Sequence, residues 1–331
     1  MKLRVIQIAQ FIFLMFLGPQ LAQSQDEQRI VYDPYGDTAL EEITPETRAR
    51  SRDYSPYAGR EFPSKVLFGD THHHTANSGD AFMGGNRLTP EQSYRFARGE
   101  EVVSSTGVPA KLSRPLDFLG IAAHAEGLGV ITEVYNGNPE FVSDPTLARW
   151  NQMMQAGGNE AAKAATELVS AQAQGTLPGP VQDPKIVVPV MKSVWERYTE
   201  TAEEFNEPGV FTALIGFEWT SVPSGNNLHR VVVYRDGKDL ADQALPFSSW
   251  QSEDPEKLWE WMARYEEKTG GRMLAIPHNG NLSNGRMFEL VDFDGQPLDR
   301  DYAVARSRFE VLQEIIQTKG NSETHPSLSP I

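Results

Sequence analysis

The sequence predicts an α/β fold, a layered sheet or barrel in which short strands alternate with helices. Two observations predict it. From Ser64 onward, brief apolar runs of strand length alternate with segments of helical period, and several of those segments carry helix-start signals. A third observation concerns position: three apolar runs end in histidine and a fourth in glutamate. In a parallel barrel the C-terminal strand ends form one rim where functional groups converge.

Composition sets the frame. The 331 residues are 39% hydrophobic and 23% charged, within the globular range, so a wholly disordered or fibrous chain is excluded. At the N-terminus Lys2 and Arg4 precede an apolar stretch, Val5 through Leu17, then Gly18-Pro19 and small residues. That reads as a secretory signal peptide over residues 1–24, cleaved after Ser24. The stretch is shorter than the roughly 20 residues that span a bilayer, which disfavours a stable membrane anchor. A periplasmic or secreted protein is the expectation. The formal charge of −15, two units more negative once Lys2 and Arg4 are removed, repels nucleic acid and anionic lipid. There is no cysteine, so a metal must be held by imidazole and carboxylate.

Residues 25–63 form an irregular arm, broken by Pro34, Pro45, Pro56 and Pro63. Beyond it the candidate strands are 65–71, 116–123, 210–217, 228–234, 273–277 and 309–317. Thr89-Pro90-Glu91-Gln92 supplies an N-cap, a first-turn proline and a capping-box glutamine for a helix reaching Arg98. Asp254-Pro255 opens another over 257–267, with Leu258, Trp261, Met262 and Tyr265 at core spacing and a stop at Gly270-Gly271. Residues 130–208 read as a helical insertion, one helix around 147–174 and a second around 191–205.

Seven histidines occur, at 72, 73, 74, 124, 229, 278 and 325. Apolar runs lead directly into His72, His124 and His278, and Ala213-Leu214-Ile215-Gly216-Phe217 leads into Glu218. His72 and His74 are two apart, so in extended backbone they share a face and can chelate one cation, while His73 points away into a supporting or structural role. Asp70, Asp80 and Glu126 can ligate, bridge or orient an imidazole. Asp80 serves equally well as a turn former beside Gly79. His229 opens a strand and can ligate or act as a general acid, and Arg230 can clamp an anionic oxygen or pair on the surface. The amide-rich run from Asn279 to Gly285 can bind substrate oxygens or simply form a turn.

Together these motifs resemble the polymerase-and-histidinol-phosphatase (PHP) superfamily, and more closely its exported DUF3604-type members. The resemblance rests on Phe68-Gly69-Asp70-Thr71-His72-His73-His74-Thr75, Tyr94-Arg95-Phe96-Ala97-Arg98-Gly99-Glu100, Pro115-Leu116-Asp117-Phe118-Leu119 and His124-Ala125-Glu126. It continues through Gly216-Phe217-Glu218-Trp219-Thr220, Asn227-Leu228-His229-Arg230, Ile276-Pro277-His278-Asn279-Gly280-Asn281 and Lys319-Gly320-Asn321-Ser322-Glu323-Thr324-His325-Pro326. It implies a distorted (β/α)7 barrel over 64–331 with two or three divalent metals, zinc, manganese or iron, and phosphoester hydrolysis. Position by position it implies His72, His74, Asp80, His124, Glu218, His229 and His278 as metal ligands. Two departures stand out: Ala122-Ala123 replaces the Thr-Asp expected before His124, and a closing Asp-x-His motif is absent before Ile331, so the barrel is expected to be incomplete at its C-terminus.

The expected function is an exported metal-dependent hydrolase acting on a small anionic substrate, a phosphoester first. A metal-activated hydroxide attacks phosphorus, Arg230 neutralises phosphoryl charge, and His229 or Glu126 protonates the leaving group. A carboxylic ester or amide substrate on the same site, or a catalytically silent metal- or ligand-binding module, are the alternatives.

Overall fold

The computed structural model describes residues 65–317 and 320–322. The expected leader, the arm over 25–63 and the segment containing His325 lie outside the described residues. Five strands form one sheet, curled into half a barrel: β1 (Gly69–His73), β2 (Phe118–Ile121), β3 (Thr212–Trp219), β4 (Arg230–Tyr234) and β5 (Met273–Pro277). β1, β2 and β3 are parallel, whereas β4 is antiparallel to both β3 and β5. Ten α-helices accompany it among the described residues.

The reversed β4 explains why His229 precedes its strand while His72, His124 and His278 follow or end theirs. An antiparallel strand begins at the edge where its neighbours finish. Trp219 pairs with Arg230 and Arg230 with Pro277, so His229 starts at the sheet edge where β3 and β5 stop. The ladder also runs past the strand ends. Glu218 N donates to the Ala123 carbonyl, Ala125 N to the Glu218 carbonyl and His278 N to the His229 carbonyl, fixing four ligand-type residues on one edge.

The helix signals operate as the local chemistry requires. Thr89 and Gln92 form a reciprocal capping box ahead of the helix Pro90–Ala97. Asp254 caps Pro255–Thr269, which buries Leu258, Trp259, Met262 and Tyr265 and ends on left-handed Gly270; Trp261 is only partly buried. The helix expected around 147–174 is two, Pro145–Ala156 and Gly158–Ala173, because Gly157 and Gly158 adopt φ of 70° and 54° and break the period. The next helix begins earlier than its apolar period suggests, at Pro184, capped by Asp183, and carries Pro189 at the cost of a backbone hydrogen bond.

That long helix, Pro184–Phe205, belongs to the principal core. Trp195 and Tyr198 are fully buried, and the Tyr198 hydroxyl donates to the carbonyls of Ile121 and Gly216 on β2 and β3. Gly216 itself admits no side chain, since a Cβ there would stand 2.8 Å from the Val232 carbonyl oxygen of β4.

Two expectations are corrected. The run before β1 is not part of the strand: Leu67 and Phe68 are 52% and 55% exposed and precede Gly69, where β1 begins at the edge of the described sheet. Residues 309–317 are not a strand of the main sheet either. A helix, Arg300–Phe309, precedes an extended segment of which Ile316–Gln317 alone pairs, antiparallel to Gly320–Asn321. The Glu314 amide nevertheless donates to the Pro277 carbonyl at 3.1 Å, tying that segment to the end of β5. No described helix is long and apolar enough to cross a membrane.

Candidate metal centre

Glu218 is the hub of the sheet edge. It is 1% exposed, and five imidazoles converge on its carboxylate. On Oε1 are His229 Nδ1 at 2.6 Å and His278 Nε2 at 2.7 Å; on Oε2 are His74 Nε2 at 2.9 Å, His124 Nδ1 at 3.1 Å and His72 Nε2 at 3.6 Å. A second carboxylate, Asp80, reaches His74 Nδ1 at 3.0 Å and His124 Nε2 at 3.3 Å. A third, Glu314, meets His72 Nδ1 at 2.6 Å.

Local structure delivers each group. The ladder shifts register between Asp70 and His73, and His72 within that irregularity and His74 just past it lie side by side with ring centroids 5.1 Å apart. His73 turns to the opposite face, its Nε2 3.0 Å from Ser93 Oγ on the helix Pro90–Ala97. Asp80 stands in the first turn of a short helix, Gly79–Met83. Buried Ser78 donates to Asp80 Oδ1 at 2.6 Å and accepts from the His124 amide at 3.2 Å, linking the carboxylate to the end of β2.

Charge and burial oppose each other throughout. Burial pulls the His72 and His74 imidazoles down, yet carboxylates prevail: Glu218 and Glu314 hold His72 up at about 9, and Asp80 with Glu218 hold His74 up at about 10. His124 is raised against its burial by Glu218 and Asp80. Burial would raise the carboxylates, but imidazoles depress them, His124 and His74 at Asp80, and His124, His229 and His278 at Glu218. At His278 burial wins, and its pKa falls to about 4. Such a mixture of imidazolium and carboxylate is what protons make of a set of nitrogen and oxygen donors that a cation would also satisfy.

The donors fit a divalent cation. His74 Nε2 and Glu218 Oε2 approach to 2.9 Å, yet both are buried and neither has an aligned hydrogen-bond partner. An orphaned pair of this kind is costly unless something else satisfies it. Four groups place three ligand atoms within 4.8 Å of one another: His72, His74 and Glu218; His74, Asp80 and His124; His124, Glu218 and His229; and His72, His278 and Glu314. Buried histidine and glutamate at these distances can hold a metal ion.

The structure therefore brings His72, His74, Asp80, His124, Glu218, His229 and His278 into one constellation. It places the remaining candidates elsewhere. Asp70 turns back along its strand, accepting from the His72 amide at 2.7 Å. Arg230 is 1% exposed, its Nε 2.9 Å from Glu310 Oε1 and its Nη1 donating to the Leu228 carbonyl. The guanidinium is thus engaged by groups within the fold. Glu126 Oε1 accepts from the amides of Thr220 and Ser249 at 3.3 and 2.6 Å, clamping two loops, while its Oε2 is buried with no hydrogen-bond partner. The amides after His278 serve mainly each other. Asn279 donates to Asn227 Oδ1 at 2.8 Å and Asn284 to Asn226 Oδ1 at 2.6 Å, holding together the loops on which His229 and His278 stand.

Three contributors escaped the sequence reading. Thr220 puts its hydroxyl 2.5 Å from His124 Nδ1, supplying support where Ala122-Ala123 offers no carboxylate. Ser78 carries no signal of its own in sequence. Glu314 does: it is a lone acid within the apolar run Val311-Leu312-Gln313-Glu314-Ile315-Ile316, the same signature that marks Glu218.

No curated protein and no solved structure matches the chain. A family model, described as a protein of unknown function (DUF3604), matches residues 61–331, which include every residue of the constellation. The chain thus belongs to the DUF3604 family.

Proposed function

We propose that the chain is an exported, metal-dependent hydrolase of the PHP kind, with a small anionic phosphoester as the leading substrate class. The observation that carries the reading is the convergence of five imidazoles on one buried carboxylate at a sheet edge. Evolutionary packing alone would replace so many buried titratable groups by apolar ones at no loss of stability.

Two or three divalent cations would be held by donors drawn from three overlapping sets, His72, His74 and Glu218; His74, Asp80 and His124; and His124, Glu218 and His229. When bound they supply Lewis acidity, which brings the pKa of water toward neutrality and offsets charge on substrate oxygens. The chain's own part is positional. Ser78 and Thr220 set the orientation of Asp80 and His124 through hydrogen bonds at 2.6 and 2.5 Å. Ladder bonds beyond β2, β3 and β5 keep the donors from drifting. Glu126 holds the Thr220 loop and keeps one carboxylate oxygen free of hydrogen bonds, which leaves it a candidate for protonating the leaving group.

Arg230, expected to neutralise phosphoryl charge, is engaged by Glu310, and a metal-bound hydroxide attacks carbonyls as well as phosphorus, so ester and amide substrates belong in the same test. The purified protein loaded with Mn²⁺ or Zn²⁺ is assayed on chromogenic phosphomonoesters, phosphodiesters and carboxylic esters. Turnover that EDTA abolishes, and that His72→Ala loses while keeping its fold, supports a hydrolase. Tight metal retention with no turnover on any substrate class refutes it in favour of a silent binding module.

A further inference from the structure

One acidic residue at the site belongs to no strand and to no ligand set read from sequence. Glu314 lies in the extended segment after the helix Arg300–Phe309, its carboxylate one-quarter exposed and 2.6 Å from His72 Nδ1. The opposite ring nitrogen, Nε2, faces Glu218 Oε2 across 3.6 Å, beyond hydrogen-bond reach. Of the two nitrogens, then, one is engaged by Glu314 and the other is directed at the shared hub.

The segment is anchored four residues earlier. Glu310 is 2% exposed and lies 2.9 Å from Arg230 Nε, 3.1 Å from Arg306 Nε and 2.9 Å from Trp259 Nε1. Four residues on, the Glu314 amide is held by the Pro277 carbonyl, immediately before His278. A buried ion pair of this kind is a weak source of net stability but fixes one arrangement of the chain around it. Here it sets where Glu314 can stand.

We propose that Glu314 is a positioning residue of the metal centre: its carboxylate accepts the Nδ1 proton of His72, locking the ring so that Nε2 is the nitrogen offered to a cation, and the Glu310–Arg230–Arg306 anchor holds the segment in place to do so. A carboxylate behind a ligating imidazole fixes tautomer and ring orientation and increases the basicity of the coordinating nitrogen. The inference rests on the metal-centre reading above and adds a residue and a role to it. It also gives buried Arg230 a purpose, as part of the anchor.

The test compares E314A, E314Q and E314D in the purified chain, titrated with Zn²⁺ alone by calorimetry and with Co²⁺ alone by absorption. E314A is expected to weaken one class of sites by about ten- to hundredfold. E314Q, whose amide oxygen still accepts the Nδ1 proton, should stay within a few-fold of wild type, with an unchanged Co²⁺ spectrum. E314D withdraws the carboxylate while keeping its charge and should weaken binding as E314A does, which keeps the test decisive if E314A does not fold. Loss in E314Q equal to that in E314A, with a shifted Co²⁺ spectrum, overturns the proposal and makes Glu314 a direct ligand. Wild-type affinity in E314A or E314D overturns it outright. If wild-type protein binds neither ion, the metal-centre reading itself fails, and that outcome is distinct from the others.

Discussion

Replacing Glu218 by glutamine keeps the size of the side chain and removes its charge from the middle of five imidazoles. The cost in metal-free protein follows from proton linkage. The His72 imidazole is held at about 9 against an ordinary 6.5 by Glu218 and Glu314 together; at 1.36 kcal/mol per unit the whole shift corresponds to about 3 kcal/mol of folded-state stability, the upper bound on what Glu218 supplies through His72. His74 and His124 draw on the same carboxylate, so their contributions do not add. A loss of about 3 kcal/mol also lies at the lower end of what breaking a buried ion pair costs. The sign fixes the pH window. A raised imidazole stabilises fully below its unfolded value of 6.5, and the stabilisation disappears as pH climbs through the folded values of about 9 and about 10. Urea unfolding of EDTA-treated wild type and E218Q should therefore differ by up to about 3 kcal/mol at pH 6 and converge toward pH 10. A difference independent of pH, or a more stable E218Q at pH 6, would refute the assignment of Glu218 as the electrostatic hub.

Two further outcomes are expected. Binding of Zn²⁺ at pH 7 should release protons, because His72 and His74 are protonated there and must become neutral to ligate; calorimetric enthalpies should vary with buffer ionisation heat, and buffer-independent enthalpies would contradict this. R230M should destabilise the fold by about 2–3 kcal/mol in thermal or urea unfolding, less than the roughly 3–5 kcal/mol of a fully broken buried pair because Glu310 keeps Arg306 and Trp259 as partners, and the double variant R230M/R306M, which does strand the Glu310 charge, should lose distinctly more. Equal instability of the single and double variants would show that the Glu310 anchor is not what holds the segment.

The clustered donors were legible in sequence for a simple reason. A strand of four to eight residues presents its last side chain at the sheet edge, so an apolar run ending in His or Glu reports both an element and a position. His124, Glu218 and His278 each carry that signature, and the two-residue spacing of His72 and His74 reports a shared face while sending His73 to Ser93. Helix starts at Thr89 and Asp254 were equally readable, because capping is local chemistry.

Direction and partnership were not readable. Nothing in the residues of β4 says that it runs antiparallel, yet that reversal is what brings His229 to the common edge and turns Arg230 inward to Glu310. The apolar residues ahead of β1 look buried in sequence and are exposed, since they precede Gly69, where β1 begins at the edge of the described sheet. Thr220, Ser78 and Glu314 reach His124, Asp80 and His72 across separations of 96, 2 and 242 residues. Of these, the near one is a turn contact and the distant ones exist only once the sheet has curled. By itself, then, the chain's order of residues determined which groups end strands and so which can ligate, because backbone periodicity acts locally. Tertiary structure alone decided which of them share Glu218 and which carboxylates stand behind them, because those contacts join segments that only the folded sheet brings within 3 to 4 Å.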